Sequence, residues 1–89
     1  MAFNLAEITP ENISSNICAL LGTLIGIEWD QVSFKPEDLK EGMLVEYEHG
    51  SKDPMTNITN NDPIMTAKIA LAHLNEHSDY YKILNSVKL

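Results

Sequence analysis

Asp62-Pro63-Ile64-Met65-Thr66-Ala67-Lys68-Ile69-Ala70-Leu71-Ala72-His73-Leu74-Asn75-Glu76-His77 is the stretch on which the fold turns. Asp62 is suited to an N-cap, and Pro63 brings the fixed φ of a first helical position. From Ile64 to about His77 the chain is apolar nearly all round, through Ile64, Met65, Ala67, Ile69, Ala70, Leu71, Ala72 and Leu74. A helix with so little polar surface is expected at the buried centre of a bundle.

Downstream, Asp79 is placed to cap a last helix carrying Tyr80, Tyr81, Ile83, Leu84 and Val87. Upstream, residues 51–61 are rich in Ser, Asp, Asn and Thr and read as a loop whose side chains bond its own backbone. Before it, Pro36-Glu37-Asp38 starts a helix with an apolar stripe of Leu39, Met43 and Tyr47, and Gly50 is read as its C-cap glycine. Glu37, Glu41 and Glu48 fall on the opposite, solvated face. Residues 27–34 are expected to be an extended connection that plugs Trp29 and Phe34 into the core. Thr9-Pro10-Glu11 reads as the start of the first helix, with Ile13, Ile17, Leu20, Leu21 and Leu24 at helical spacing and a stop near Gly26. Cys18, Gly22 and Gly26 form a small-residue stripe that would let another helix approach. Residues 1–8 are left as a short arm. The expectation is an all-α fold: one domain over residues 1–89, a compact bundle of about four helices with one polar loop at about 50–62.

The composition narrows the function. Eighty-nine residues, 44% of them hydrophobic, make a single thin core that further burial against a partner would help. There is no Arg, and 13 acidic residues against 6 Lys leave a formal charge of -7. Such a chain repels nucleic-acid phosphates and anionic lipid and lacks a bidentate phosphate reader, so neither nucleic acid nor membrane is an expected partner. It attracts basic surfaces instead. A single cysteine, Cys18, excludes an internal disulfide and suits a reducing compartment, the cytoplasm. The first residues lack the basic n-region of a secretory signal.

Glu46 is the residue that asks for an explanation. It lies seven positions after Leu39, two helical turns on, and so falls on the apolar stripe. A buried carboxylate must find donors or take up a proton. His49 follows at i+3, and His73 and Glu76 form a second i,i+3 pair on the later helix. Glu46, His49, His73 and Glu76 are therefore candidate ligands for a divalent metal, as in Glu-x-x-His bundle sites. The alternative is a hydrogen-bonded cluster that fixes helix docking, with Asn57, Asp62 and Lys68 as further polar members. His73-Leu74-Asn75-Glu76-His77 also matches the inverted zinc-peptidase spacing, but no downstream Glu supplies a third ligand.

Several runs together resemble a known family: Ile27-Glu28-Trp29, Phe34, Gly42-Met43-x-Val45-Glu46-x-Glu48-His49-Gly50, Thr56-Asn57-x-Thr59-x-x-Asp62, and Lys68-Ile69-Ala70-x-Ala72-His73-Leu74-x-Glu76-x-x-Asp79-Tyr80-Tyr81-x-x-Leu84. They are similar to an uncharacterised small domain of bacteria, bacteriophages and large viruses, over roughly residues 26–84. The resemblance implies no activity. It implies an apolar residue where His77 stands, which counts against the peptidase reading, and it suggests an accessory protein acting on a host or virion protein.

The leading expectation is a small acidic accessory protein, cytoplasmic or in a host's cytoplasm, that binds a protein partner with a basic patch or associates with itself. Leu20, Leu21, Leu24 and Ile25 are its candidate contact residues. The alternatives are a metal-dependent small enzyme built on Glu46, His49, His73 and Glu76, and a virion-associated structural subunit. No other cofactor is implied.

Overall fold

The computed structural model describes residues 4–87. Within them lie four α-helices: α1 (Ser15–Leu24), α2 (Pro36–Glu46), α3 (Pro63–Glu76) and α4 (Tyr80–Ser86). Two single 3-10 turns, Leu5–Glu7 and Tyr47–His49, complete the regular structure, and no strand occurs among the described residues. The expected all-α bundle is the fold found.

The ends of α2 and α3 follow local chemistry. Asp62 accepts the Met65 amide at 2.8 Å, and Pro63 fills the first position of α3. At α2 the Lys35 amide donates to the Asp38 carboxylate at 2.8 Å, ahead of Pro36. α1 ends at Gly26, where φ of +100° lets the Ile27 amide reach the Gly22 carbonyl at 2.8 Å and the Gly26 amide reach Thr23 at 3.1 Å. That paired closure needs a left-handed residue, which glycine adopts without strain.

The first helix starts later than Thr9-Pro10 implies. Thr9 to Asn12 form a turn, closed by the Asn12 amide on the Thr9 carbonyl at 3.2 Å. The Asn12 side chain then accepts the Thr9 amide at 2.9 Å and donates to the Glu7 carbonyl at 2.6 Å. These side-chain bonds compete with helix formation. Ser14 is the true cap, accepting the Ile17 amide at 3.2 Å. The segment before α1 is not a free arm over its described part, because Ile8 and Ile13 are buried in the core; residues 1–3 of that arm lie outside the described residues.

α2 and α3 each pack against all three other helices; α2 leans heavily on both α1 and α3, whereas α3 leans chiefly on α2, so α2 shares the centre that the sequence assigns to α3 alone. The molecule measures 37 × 36 × 18 Å, and 18 Å is about the depth of two packed helix layers. α3 can therefore bury only one side. Ala67, Ala70 and Leu74 face inward, while Leu71 is half-buried and Met65 is 45% exposed. Its all-round apolar character combines buried alanines with larger side chains, Met65 among them, that stay partly in solvent.

The small-residue stripe also works differently from expectation. Cys18 does face a helix, its thiol 3.9 Å from the Met43 sulfur of α2. Gly22 instead makes room for the Trp29 ring, which a Cβ there would strike. Trp29 donates its indole N–H to the Ala19 carbonyl at 3.0 Å and meets Phe34 edge-on at 5.9 Å. Residues 27–34 are thus a run of turns rather than an extended strap, although Phe34 is buried and Trp29 half-buried as a plug should be.

Burial pushes the Cys18 thiol from 9.0 up to about 12, and the Tyr47 phenol from 10.0 up to about 12. Between those values the unfolded chain has released protons that the folded chain keeps. The stability these groups provide is whole below about pH 9 and is lost as pH rises towards 12. Expected, then, is an alkaline decline in the denaturation midpoint starting near pH 9, with Cys18 inert to thiol reagents at neutral pH until the chain unfolds. Rapid labelling of Cys18 in the native protein at neutral pH would contradict this packing.

Candidate functional site: a Glu–Tyr–His cluster between three helices

Glu46 closes α2 and is buried at 7% exposure, as its spacing from Leu39 predicts. Its donor is Tyr81 of α4. The phenol O–H donates to Glu46 Oε2 at 2.7 Å, inside the protein and across 35 residues of sequence. His73 of α3 brings Nε2 to 3.8 Å from the same oxygen. The three helices thus converge on one carboxylate.

The floor of the cluster is Gly42, one helical turn before Glu46. A Cβ there would lie 2.5 Å from Cε2 of Tyr81 and 3.0 Å from the Ala70 Cβ. Only a bare backbone lets the Tyr81 ring lie against α2 and deliver its hydroxyl to Glu46. Burial, then the Glu46 bond, drives the Tyr81 phenol well above its ordinary value, so it stays a donor. The rings beside it form a compact set. His73 stacks on Tyr80 at 4.3 Å and 7°, and Tyr80 meets Tyr81 edge-on at 4.9 Å. Offset and edge contacts of this kind add about 0.5–1.5 kcal/mol each beyond burial. His73 Nδ1 is buried with no protein partner. Outside, Asn85 donates to Glu41, and Lys82 lies 3.6 Å from Asp38, tying α4 to α2 again at the surface.

The other residues singled out from the sequence are elsewhere. The His49 side chain is exposed; its carbonyl takes the Ile58 and Thr59 amides at 2.6 and 3.3 Å. The returning loop thus uses the backbone of His49 and leaves its ring to solvent. Glu76 is exposed near the end of α3, and Lys68 is exposed on its outer side. Among the described residues, no three His, Cys, Asp or Glu side chains gather to hold a metal ion, so Glu46, His49, His73 and Glu76 are not one ligand set in this fold. Asn57 closes the loop by accepting the Asn60 amide at 2.7 Å, and Asp62 is occupied as the cap of α3. His77 accepts the Asp79 amide on Nδ1 at 3.1 Å in the turn between α3 and α4. Asp79 occupies the N-cap position of α4, but its side chain makes no cap bond.

Gly50 is also not the left-handed cap its position implies, since its φ is -99°. It is glycine for space: a Cβ would run into the Asn61 side-chain oxygen. Asn61 holds the loop shut there, accepting the Ser51 amide at 3.0 Å and donating to the Ser51 hydroxyl at 2.8 Å.

Sequence reasoning found Glu46 and His73 but not Tyr81. The available signal was Gly42, a glycine in the middle of a helix four residues before the buried acid. The cluster can hold a proton on Tyr81, and it joins three helices. A groove of about 400 Å³ lies elsewhere, bordered by Glu11, Leu44, Tyr47, Glu48 and Lys52, and not by Glu46, His73 or Tyr81. If the cluster is a joint, Glu46→Gln is milder than Glu46→Leu, because the amide keeps an acceptor for Tyr81 while leucine strands a buried hydroxyl at a cost of about 1–3 kcal/mol. Equal melting curves for the two variants would remove the Tyr81 bond from the explanation.

The fold and this cluster define a class: a small all-α domain whose helices meet at a buried carboxylate–phenol bond. Residues 18–88 match the family model of a protein of unknown function, DUF5661, and the chain belongs to that family. The match takes in α1 from Cys18 onward, beyond the residues 26–84 that carry the resemblance. No curated protein and no solved structure matches the chain. Among the described residues, no helix is long and apolar enough to cross a membrane.

Proposed function

We propose that the chain is a small acidic accessory protein that binds another protein, and that the outer face of α1 makes the contact. The observation that carries this reading is the character of that face. Asn16, Leu20, Thr23 and Leu24 are its exposed residues, with Leu20 at 48% and Leu24 at 60% exposure. α1 bears no charged side chain at all, on a chain whose formal charge is -7. A solvated helix face normally carries charge, whereas the centre of a protein interface is depleted of it. Leu21 drops out of the contact set, since it is fully buried, and Ile25 is half-buried at the helix end.

The partner this surface suits presents an apolar spot ringed by Lys or Arg. The carboxylate surplus steers such a partner in, so association slows as salt rises. The lone buried cysteine suits a cytoplasmic setting, and the resemblance to phage and viral domains supports a host or virion protein as the partner. The Glu46 cluster is turned inward and serves the fold.

The test is the double variant Leu20→Lys/Leu24→Lys. Both positions are solvent-exposed, so the melting temperature should stay near that of the wild type. Cross-linked capture from the native host should recover a defined protein with the wild type and lose it with the variant. Recovery of the same protein by both removes α1 from the function. A wild-type mass in solution that is a multiple of the monomer, and returns to the monomer in the variant, would identify the partner as a second copy.

A further inference from the structure

We infer that the groove between the Thr9–Asn12 turn, the end of α2 and the root of the polar loop binds a small apolar zwitterion, of amino-acid or dipeptide size, through its free ammonium and its free carboxylate. This goes beyond the protein-binding reading and uses a different part of the surface from α1. The groove holds about 400 Å³, within the range of about 300–1,000 Å³ usual for small-ligand sites. Pro10 and Glu11 come to it from the turn, Leu44 and Tyr47 from α2 and the 3-10 turn that follows it, and Ser51 and Lys52 from the loop.

Two opposite charges on this lining are unclaimed. Glu11 and Lys52 are both exposed, and neither side chain makes an ion pair or a hydrogen bond among the described residues. Glu48 also lines the groove but is already engaged. The anion end is held in place. Asn61 accepts the Ser51 amide at 3.0 Å and donates to the Ser51 hydroxyl oxygen at 2.8 Å. That leaves the Ser51 proton free to join the Lys52 ammonium in binding a carboxylate. Glu11 is the acceptor for an ammonium. Between these ends Pro10 and Leu44, the latter 42% exposed, offer an apolar wall. Tyr47 lines the groove as well, and its buried hydroxyl has no partner in the protein, a donor that the fold alone leaves unsatisfied. A ligand of one charge would match either Glu11 or Lys52, whereas a zwitterion matches both. The formal charge of -7 works further against a simple anion.

The experiment is a backbone amide NMR titration of the full chain with leucine, with the dipeptide Leu-Leu, and with N-acetyl-Leu-Leu-amide, which lacks both charges. At least one zwitterion should shift the amides of Glu11, Leu44, Ser51 and Lys52, and the tighter of the two sets the length of the ligand. The capped peptide should shift none of them. The dissociation constant of the tighter zwitterion should rise about tenfold in Glu11→Gln and again in Lys52→Gln. Both positions are exposed and unpaired, so each variant should melt near the wild type. No shift with either zwitterion, shifts centred away from the groove, equal binding of the capped peptide, or an unchanged constant in either variant would overturn the inference. The α1 capture experiment judges the proposed function separately.

Discussion

Leu39→Ala should cost about 2–5 kcal/mol of folding stability, the range seen for leucines truncated in closed cores. Leu39 is fully buried on α2, which packs closely against both α1 and α3. No neighbour can close the gap without moving α1 or α3. Leu71→Ala is the informative comparison. From sequence it sits in the most apolar helix and would be expected to matter as much. In the fold it is half-buried on the outer flank of α3, so its loss should be clearly smaller. Urea denaturation of both variants checks the burial described. An equal or larger loss for Leu71→Ala would place that side chain in the closed core and refute the packing described.

Gly42→Ala should reverse the usual sign of that substitution. In an exposed helix interior, replacing glycine by alanine gains about 1 kcal/mol. Here the added methyl would lie 2.5 Å from the Tyr81 ring and 3.0 Å from the Ala70 methyl. The ring cannot retreat without dragging its hydroxyl from Glu46, and α4 is held to α2 at Glu41 and Asp38 as well. Overpacking of this kind costs about 1–3 kcal/mol, which outweighs the propensity gain. A Gly42→Ala variant more stable than the wild type would show that Tyr81 does not press against α2.

How much of this was legible in the sequence depends on how local the cause was. The start of α3 at Asp62-Pro63, the start of α2 at Pro36 and the stop at Gly26 are each decided within four residues, and each can be read. Thr9-Pro10 misleads because proline has the same φ at the first position of a helix and at the second position of a turn. The side chain of Asn12 decides between them, through bonds to Glu7 and Thr9. Glu46 could be placed inside by periodicity alone. Its partner could not, because the Tyr81 bond spans two helices and a loop. A pattern that pairs Glu46 with His49 by spacing assumes the helix and its cover continue. Instead the backbone tightens into a 3-10 turn over Tyr47–His49, and the loop comes back onto the His49 carbonyl. The apolar character of α3 misleads for a related reason: hydropathy reports what a helix tolerates, not which of its faces its neighbours cover.

Glu46 and Tyr81 satisfy each other inside the protein, and the partner contact proposed for this chain is the uncharged outer side of α1. The claim beneath that proposal is that the buried pair is a joint between helices and not a reaction centre. A double-mutant cycle of Glu46→Leu and Tyr81→Phe tests it most directly. Each single variant should lose about 1–3 kcal/mol, since each strands a buried polar partner, while the double variant should recover most of that loss, because both members are gone together. Additive losses, with the double variant as unstable as the sum of the two singles, would contradict the joint.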